Sequence, residues 1–244
     1  MSLVVSAPDR GVTTVTLDFP DRRNALSAEL VGALAEVLDR LGEDPDVRAV
    51  LLTHTGTTFC SGADLKAPPE PLDFVRLLRR LVELPKPALA RVDGHVRAGG
   101  LGLLGACDLA VAGPAASFAF TEVHIGVAPA VISLPLLPRL DPSAASRYYL
   151  TGERFDAAEA ARIGLITAYG QDVDVAIAPL LDGVRAAAPG ALAETKKLLT
   201  ARVLDAFDDH SDALTALSAR LFASAEAREG MTAFLERRER PWVL

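Results

Sequence analysis

Alternating apolar and polar positions define the first elements of the chain. From Val12 to Phe19 polar residues alternate with valine, leucine and phenylalanine, which predicts a strand with one buried face. A first apolar stretch precedes this strand across Gly11. After Ser27, a residue type that caps helices, leucines recur at spacings of three and four as far as Leu41. The chain is therefore predicted to open with a strand pair followed by a helix.

The same alternation of apolar strands and amphipathic helices continues to about Pro142, and the rest is predicted to be almost entirely helical. Further elements are predicted as strands over 49–53, 88–92, 108–112 and 117–120, a helix over 72–84, and a short helix after the glycine-rich turn 94–102. Strands alternating with helices predict an α/β fold. We divide the chain into an α/β core, 1–190, and a C-terminal helical region, 191–244, whose apolar positions are expected to form an oligomer contact.

Composition and charge exclude several classes of protein. The 244 residues are 50% apolar, enough for one sizeable core, and the net charge of −7 carries no basic run that would favour nucleic acid. No apolar run reaches about 18 residues and the start has no secretion signal, so we expect a cytoplasmic protein without a membrane partner. Cys60 and Cys107 have no metal-ligand spacing and are interpreted as packing residues.

Two segments place backbone N–H groups where a ligand can approach them. In 59–66 small residues follow a predicted strand, and Asp64 can fix the turn through its side chain. In 95–103 glycines open a helix, whose unpaired N–H groups favour negative charge, including that of an oxyanion. Each segment also fits an ordinary turn, and the glycine spacing does not fit a dinucleotide-binding fingerprint.

Two further segments combine charge with apolar surroundings. In 118–126 the single carboxylate Glu122 interrupts an apolar stretch, where a raised pKa would suit proton transfer near neutrality. The alternative is an exposed acid at the end of a strand. The segment 228–238 near the C terminus also fits a charged amphipathic helix without a site.

Taken together and in this order, the four segments resemble the enoyl-CoA hydratase/isomerase (crotonase) superfamily. The resemblance runs from Asn24-Ala25-Leu26 to the terminal REGMTAFLERR. It implies an α/β fold of the crotonase (ClpP-like) type, built of repeated strand-strand-helix units with a C-terminal helical oligomerisation region. It also implies an acyl-CoA thioester as substrate and a homotrimer or homohexamer. No metal and no redox cofactor are implied, because coenzyme A belongs to the substrate.

The resemblance assigns roles to individual residues. It implies that the N–H groups of Ala63 and Gly99 form an oxyanion hole, that Glu122 is one of a hydratase's two glutamates, and that Gly102 stands where the other would be. It further implies a set of residues that bind coenzyme A and the thioester: Arg22, Arg23, Ala25, Ser61, Gly62, Asp64, Leu65, Lys66 and Gly100. The C-terminal Arg237 and Arg238 are candidates to reach the ligand of a neighbouring subunit.

We expect the function of a hydratase. Hydration needs a base for the water and an acid for the α-carbon, which two carboxylates would share naturally, whereas glycine at position 102 leaves only Glu122. The stretches 103–108 and 122–133 look most like bacterial hydratase-type members of the family, among them methylglutaconyl-CoA hydratases, which also carry glycine at the first position. The alternatives are a Δ3,Δ2-enoyl-CoA isomerase using a single glutamate, a methylglutaconyl-CoA-type hydratase, and a non-catalytic acyl-CoA-binding protein. Arg97 is a candidate to bind a substrate carboxylate, or else a surface arginine. His124 is interpreted as a packing or surface residue rather than a helper, and His95 as structural.

Overall fold

The computed structural model describes residues 3–244, and its core is a six-stranded sheet. Across the sheet the strands lie in the order β1-β2-β3-β5-β7-β10. Their bounds are Leu3–Val5 (β1), Val12–Leu17 (β2), Ala49–His54 (β3), Ala88–Val92 (β5), Leu109–Ala112 (β7) and Ala168–Tyr169 (β10). All pairs are parallel except β1 with β2. The strands predicted near the start and at 49–53, 88–92 and 108–112 are confirmed.

The fold contains a second sheet of four short strands, most of which the sequence analysis did not predict. It has the order β4-β6-β8-β9, with bounds Thr58–Cys60 (β4), His95–Arg97 (β6), Ser117–Ala119 (β8) and Phe155–Asp156 (β9). Only β8 was predicted, because two or three residues are too few to show a period of two. β6 lies inside the segment predicted as a glycine-rich turn. Strands β4 and β6 of this sheet lead into the two segments that offer backbone N–H groups to a ligand, at Ala63 and at Gly99. We call these two segments the N–H-bearing turns.

Nine α-helices within the described residues complete the fold. They are Ala28–Glu43 (α1), Pro71–Glu83 (α2), Gly99–Ala106 (α3), Ser133–Leu136 (α4), Pro142–Thr151 (α5), Ala157–Arg162 (α6), Val173–Ala186 (α7), Pro189–Phe222 (α8) and Ala225–Glu236 (α9). Ser27 caps α1 as predicted, since its side chain accepts a hydrogen bond from Leu30 N. The predicted helix 72–84 is confirmed as α2. The acid-bearing segment ends in a 3₁₀ helix, Glu122–Ile125, instead of continuing as a strand.

The long helix α8 is anchored to the core by a buried ion pair. Lys196 Nζ lies 2.8 Å from Asp108 Oδ2, and the lysine side chain is 5% exposed. The same ammonium donates to Leu81 O and Lys86 O, so its charge is compensated on several sides. The boundary proposed at 190/191 falls in the first turn of α8, which packs against α2 of the core.

The helices were also compared with the length needed to cross a bilayer. From residue 3 to residue 244 no single helix is both long and apolar enough. Among the helices of this part of the chain, only α7 and α8 taken together, bent by 116° at the break between them, meet the criteria of length and composition.

Candidate active site

An open cavity of about 1220 Å³ lies between the N–H-bearing turns, the 3₁₀ helix Glu122–Ile125 and the C-terminal helix α9. Drug-sized ligands occupy pockets of roughly 300–1,000 Å³, so this cavity suits a longer molecule. The predicted residues that line it are Arg22, Arg23, Ala25, Ser61, Ala63, Asp64, Leu65, Lys66, Gly99 and Glu122. Gly62, Gly100 and Gly102 are buried and do not belong to its wall.

The turn that carries Ala63 is held by the chain segment before α1. Leu26 N donates to Gly62 O and Asp64 N donates to Leu26 O, both at 2.8 Å. Leu26 and Ala63 thereby form an isolated parallel β-bridge. This pairing leaves the Ala63 N–H directed away from Leu26, toward the cavity. Asp64 completes the turn by accepting a hydrogen bond from Lys66 N at 3.0 Å, as the sequence predicted.

The second N–H belongs to Gly99, the first residue of α3. Ala98 before it has φ 47° and ψ −121°, a conformation that residues with a side chain adopt only under strain. Gly99 begins the helix too early to bond to a carbonyl within it. The strained residue therefore turns the start of α3 so that its first N–H groups face outward.

Glycine brings the two turns into contact. A Cβ at Gly62, whose φ is +94°, would lie 2.9 Å from Ala98 Cβ and 3.5 Å from Gly99 N. A Cβ at Gly100 would lie 2.8 Å from Cys60 Cβ. Within the described residues, neither Ala63 N–H nor Gly99 N–H donates to a protein acceptor. The arrangement offers two free donors side by side, which is the requirement for holding an oxyanion.

Glu122 is the buried acid of the cavity. Its side chain is placed at the start of the 3₁₀ helix, and the residue is 7% exposed. Burial raises the pKa of this carboxyl to about 8, and its own backbone N–H lowers the pKa only in part. The expectation of an acid with a raised pKa is supported over the exposed-acid alternative. A carboxyl with such a pKa is present in both protonation states near neutrality.

His124, His95 and Arg97, the basic residues considered in the sequence, have structural partners. His124 Nε2 lies 2.8 Å from Thr151 O, and His95 Nδ1 lies 2.9 Å from Ser117 Oγ. Arg97 lies on the cavity wall, half-buried, with its guanidinium donating to Val96 O and to Ser117 O and Oγ. Burial, and then the charge of Arg154, lower the pKa of Arg97 to about 10. Arg97 is therefore a fixed cation of the wall, rather than a freely solvated one.

Gly102 lies on the far side of Ile132 from the cavity. A Cβ at Gly102 would lie 2.7 Å from Ile132 Cγ2 and 3.4 Å from Leu78 Cδ1. Ile132 itself lines the cavity. The position at which a second acid is expected is thus occupied by packed apolar side chains.

Arg22 and Arg23 lie on a loop at the rim of the cavity, and a buried amide side chain fixes this loop. Asn24 is fully buried, and its Nδ2 donates to Thr58 O at 2.7 Å and to Thr55 O at 3.2 Å. Phe19 N donates to Asn24 Oδ1 at 2.7 Å. Both Arg23 and Asn24 have left-handed backbones, with φ values of 53° and 51°. The arginines of the rim are therefore held at the cavity mouth by a rigid loop.

The sequence did not predict that the C-terminal helix covers this chain's own cavity. Gly126 and Gly230 allow α9 to meet the 3₁₀ helix backbone to backbone, because a Cβ at either would lie 2.6 Å from a main-chain atom of the other element. Arg240 Nη1 donates to His124 O at 3.0 Å. Other residues of the lining that were missed are Phe74, Val127, Arg154, Phe222, Phe234 and Leu235. Gly230, inside the charged segment 228–238, was the residue from which close packing of this helix could have been predicted.

The C-terminal arginines border the cavity as well. Arg237 and Arg238 line the same cavity as Arg22 and Arg23 of the same chain. Arg238 also pairs with Glu229 and Glu236. In this structure the two arginines thus belong to the chain's own site.

Neither cysteine lines the cavity. Cys60 and Cys107 are free and buried, and burial raises the pKa of each thiol to about 12. They are packing residues, as predicted.

Comparison with known proteins shows the family of the chain. The family model for enoyl-CoA hydratase/isomerase matches residues 8–243. A crystal structure of an enoyl-CoA hydratase from Mycobacterium avium is 50% identical, with a TM-score of 0.91 over 99% of this chain and 98% of that chain. The enoyl-CoA hydratase EchA19 of Mycobacterium tuberculosis is 34% identical over 265 residues, or 98% of this chain and 97% of that protein. The (E)-benzylidenesuccinyl-CoA hydratase of Thauera aromatica is 35% identical over 166 residues, or 64% and 65%.

These matches confirm the predicted fold class and the resemblance on which it was based, and they cover nearly the whole chain. The protein is an enzyme with the crotonase fold, and it belongs to the enoyl-CoA hydratase/isomerase superfamily.

Proposed function

We propose that this enzyme is an enoyl-CoA hydratase that adds water across the double bond of a 2-enoyl-CoA thioester. The observation that carries the proposal is Glu122, a buried carboxyl with a pKa raised to about 8 on the wall of the cavity that holds the two free N–H donors. The names of the related hydratases from Mycobacterium support the same reaction.

The reaction follows from these groups. The thioester oxygen accepts hydrogen bonds from Ala63 N–H and Gly99 N–H, which polarises the conjugated double bond. Ionised Glu122 removes a proton from water as the water oxygen bonds to the β-carbon, and the electron pair of the double bond moves to give an enolate. Protonated Glu122 then gives its proton to the α-carbon as the thioester carbonyl forms again. Glu122 ends as it began, and one water has been added.

A single carboxyl serving both carbons predicts the stereochemistry of the product. Water oxygen and the new α-hydrogen are expected to add to the same face of the double bond, because one side chain on one wall delivers both. Incubation with crotonyl-CoA in D₂O, followed by NMR of the 3-hydroxybutyryl product, measures this directly. Addition to opposite faces would require a second proton-transfer group and would contradict the mechanism.

The competing activity is a Δ3,Δ2-enoyl-CoA isomerase, and the covering of Gly102 by Ile132 favours it, since isomerisation needs one acid. Incubation with a 3-enoyl-CoA separates the two activities. Loss of conjugated absorbance from crotonyl-CoA with water incorporated supports the hydratase, whereas gain of conjugated absorbance from the 3-enoyl-CoA supports the isomerase. Turnover of neither thioester would contradict the proposal.

The packing around Gly102 predicts the result of adding a second acid. Gly102→Glu alone is expected to lower stability by about 1–3 kcal/mol without raising hydration, because its side chain collides with Ile132. In combination with Ile132→Ala, which opens the wall, Gly102→Glu is expected to raise kcat above that of Ile132→Ala alone. Thermal denaturation and steady-state hydration of crotonyl-CoA measure both effects. A gain in hydration from Gly102→Glu alone would show that Ile132 does not shield the position.

For the acyl group, a methylglutaconyl-type substrate with a second carboxylate is supported by Arg97 and Arg154. Both line the cavity, and from residue 3 to residue 244 neither has an acidic partner. A carboxylate would offset their mutual repulsion. The ratio of kcat/KM for glutaconyl-CoA and crotonyl-CoA, in wild type and Arg97→Gln, tests this specificity.

For coenzyme A, the basic mouth of the cavity supplies candidate partners for its phosphates. Arg22, Arg23 and Lys66 come from the core, and Arg237 and Arg238 from the tail. Assembly as a trimer or hexamer and a cytoplasmic location stay predictions. Exposed leucines on α8, Leu198 at 81% and Leu199 at 74%, support an interface there.

A further inference from the structure

The 3₁₀ helix that carries Glu122 is capped by an arginine from the end of the chain. Gly126 N and Val127 N both donate to Glu122 O at the C-terminal end of this helix. His124 O accepts a hydrogen bond from Arg240 Nη1 at 3.0 Å, although the two residues lie 116 positions apart in the chain. The last carbonyl groups of a helix have no partner within it, so this cap fixes the direction of the helix end.

Helix α9 lies directly against the same end of the 3₁₀ helix. A Cβ at Gly126 would lie 2.6 Å from the main-chain carbon of Glu226. A Cβ at Gly230 would lie 2.6 Å from the main-chain carbon of Ile125. The two backbones therefore meet without a side chain between them, and neither can shift without moving the other. Arg240 follows α9 in the chain and adds a hydrogen bond to this contact.

The other side of the 3₁₀ helix is held by α5. His124 Nε2 lies 2.8 Å from the carbonyl oxygen of Thr151, the last residue of α5. A Cβ at Gly152 would lie 2.8 Å from the His124 ring, so the ring fills the space beside this turn. The side chain of His124 is thus bound by α5 and its main chain by Arg240, which leaves the helix between two fixed elements.

We propose that Arg240 is a positioning residue, which binds His124 O and thereby holds the 3₁₀ helix so that the carboxyl of Glu122 reaches the substrate carbons. The inference rests on the proposed function, in which one carboxyl serves two carbons. Such a carboxyl tolerates little displacement, because misplacement by about 1 Å can lower a rate about 10²-fold. Arg240 acts through the main chain of the helix, since its only printed partner there is a carbonyl oxygen and not the acid.

The pH dependence of Glu122 reports on this arrangement. Several titratable groups lie on the elements around the acid: His124 on its own helix, Tyr149 on α5, Glu226 and Glu229 on α9, and Arg97, Arg154 and Arg240 on the cavity wall. The raised pKa of Glu122 is caused by burial, and none of these groups contributes to it. Loosening the helix would admit water and lower this pKa, whereas removing a cation that acted directly on the carboxylate would raise it.

Arg240→Met keeps much of the length of the side chain and removes its donors. On the alkaline plateau, kcat for hydration of crotonyl-CoA is expected to fall about 10- to 100-fold with KM nearly unchanged. The midpoint of the Glu122 limb is expected to move from about 8 to lower pH by about one unit, because water reaches the carboxyl. Arg240→Lys keeps a cationic donor and should recover most of kcat and of the midpoint.

Arg228→Met is the matched control on α9. Arg228 is exposed and does not line the cavity, and its guanidinium donates to Ser224 O of the preceding turn at 3.5 Å. This variant should keep both the wild-type kcat and the wild-type midpoint.

Gly230→Ala tests the same contact from the side of α9. Its Cβ would collide with the main chain of Ile125, so it should lower kcat and the Glu122 midpoint as Arg240→Met does. Gly183→Ala, in α7, is its control, because a Cβ there would meet no atom within 4 Å. Melting temperatures show that each variant is folded, and Gly230→Ala carries the test if Arg240→Met is not.

The midpoint can also be measured without turnover. The carboxyl band of Glu122 in infrared difference spectra, assigned with Glu122→Gln, gives the titration of the free enzyme. It should shift to lower pH in Arg240→Met even if neither thioester reacts and the proposed function fails. An unchanged or higher midpoint in Arg240→Met, or an equal fall in Arg228→Met, would overturn the proposal.

Discussion

Replacing Glu122 with glutamine is expected to lower kcat for hydration by about 10²- to 10⁴-fold, because the amide can neither take the proton of water nor give one to the α-carbon. In wild type kcat/KM should rise with pH as Glu122 ionises, with a midpoint near its pKa of about 8. Steady-state rates with crotonyl-CoA between pH 6 and pH 10 measure both quantities. Full hydration activity in Glu122→Gln would contradict the role given to this residue.

The same substitution is expected to stabilise the protein at alkaline pH. The folded pKa of Glu122 lies above the ordinary glutamate value of 4.5, so the free energy of unfolding of wild type falls relative to Glu122→Gln as pH rises from 4.5 to about 8. A rise of the pKa from 4.5 to about 8 corresponds to a difference of at most about 5 kcal/mol above pH 8. Urea denaturation of both proteins at pH 5 and pH 9 measures it. Equal differences at both pH values would show that burial does not perturb Glu122.

Gly100→Ala is expected to lower kcat by about 10²- to 10³-fold, the usual effect of losing one oxyanion donor. The new Cβ would lie 2.8 Å from Cys60 Cβ and 2.9 Å from the main-chain oxygen of Cys60, which cannot move aside cheaply. The start of α3 must therefore shift, and Gly99 N–H moves relative to Ala63 N–H. Steady-state rates and the affinity for a saturated acyl-CoA separate a loss of catalysis from a loss of binding.

Gly32→Ala is the control for this substitution. Gly32 lies within α1, and a Cβ there would meet no atom within 4 Å. This variant should keep wild-type kcat and gain about 0.5–1 kcal/mol of stability from helix propensity. If Gly100→Ala also kept wild-type kcat, the position of Gly99 N–H would not depend on contact between α3 and β4.

The local pattern of apolar and polar residues predicted secondary structure correctly where an element buries one regular face. The helix after Ser27 and the strand 88–92 were predicted at their observed starts, because a cap and a run of apolar residues are local signals. The turns at Ala63 and Gly99 were recognisable for a similar reason, since glycine and a side chain such as Asp64 impose backbone geometry at short range. The second sheet was missed because its strands are too short for periodicity.

The environment of Glu122 depends on both local sequence and tertiary packing. Its place in an apolar stretch predicted a raised pKa, but only packing with neighbouring elements removes the water that would otherwise solvate it. Its 3₁₀ helix was not predicted, and it changes the direction of His124.

By itself the sequence determined the α/β class and the two N–H-bearing turns, since these depend on residue type and on neighbours a few positions away. Tertiary structure alone decided that α9 covers the chain's own cavity and that Ile132 shields Gly102. Both facts depend on close contacts between residues far apart in the chain. Such contacts follow from packing in three dimensions, which no local pattern encodes.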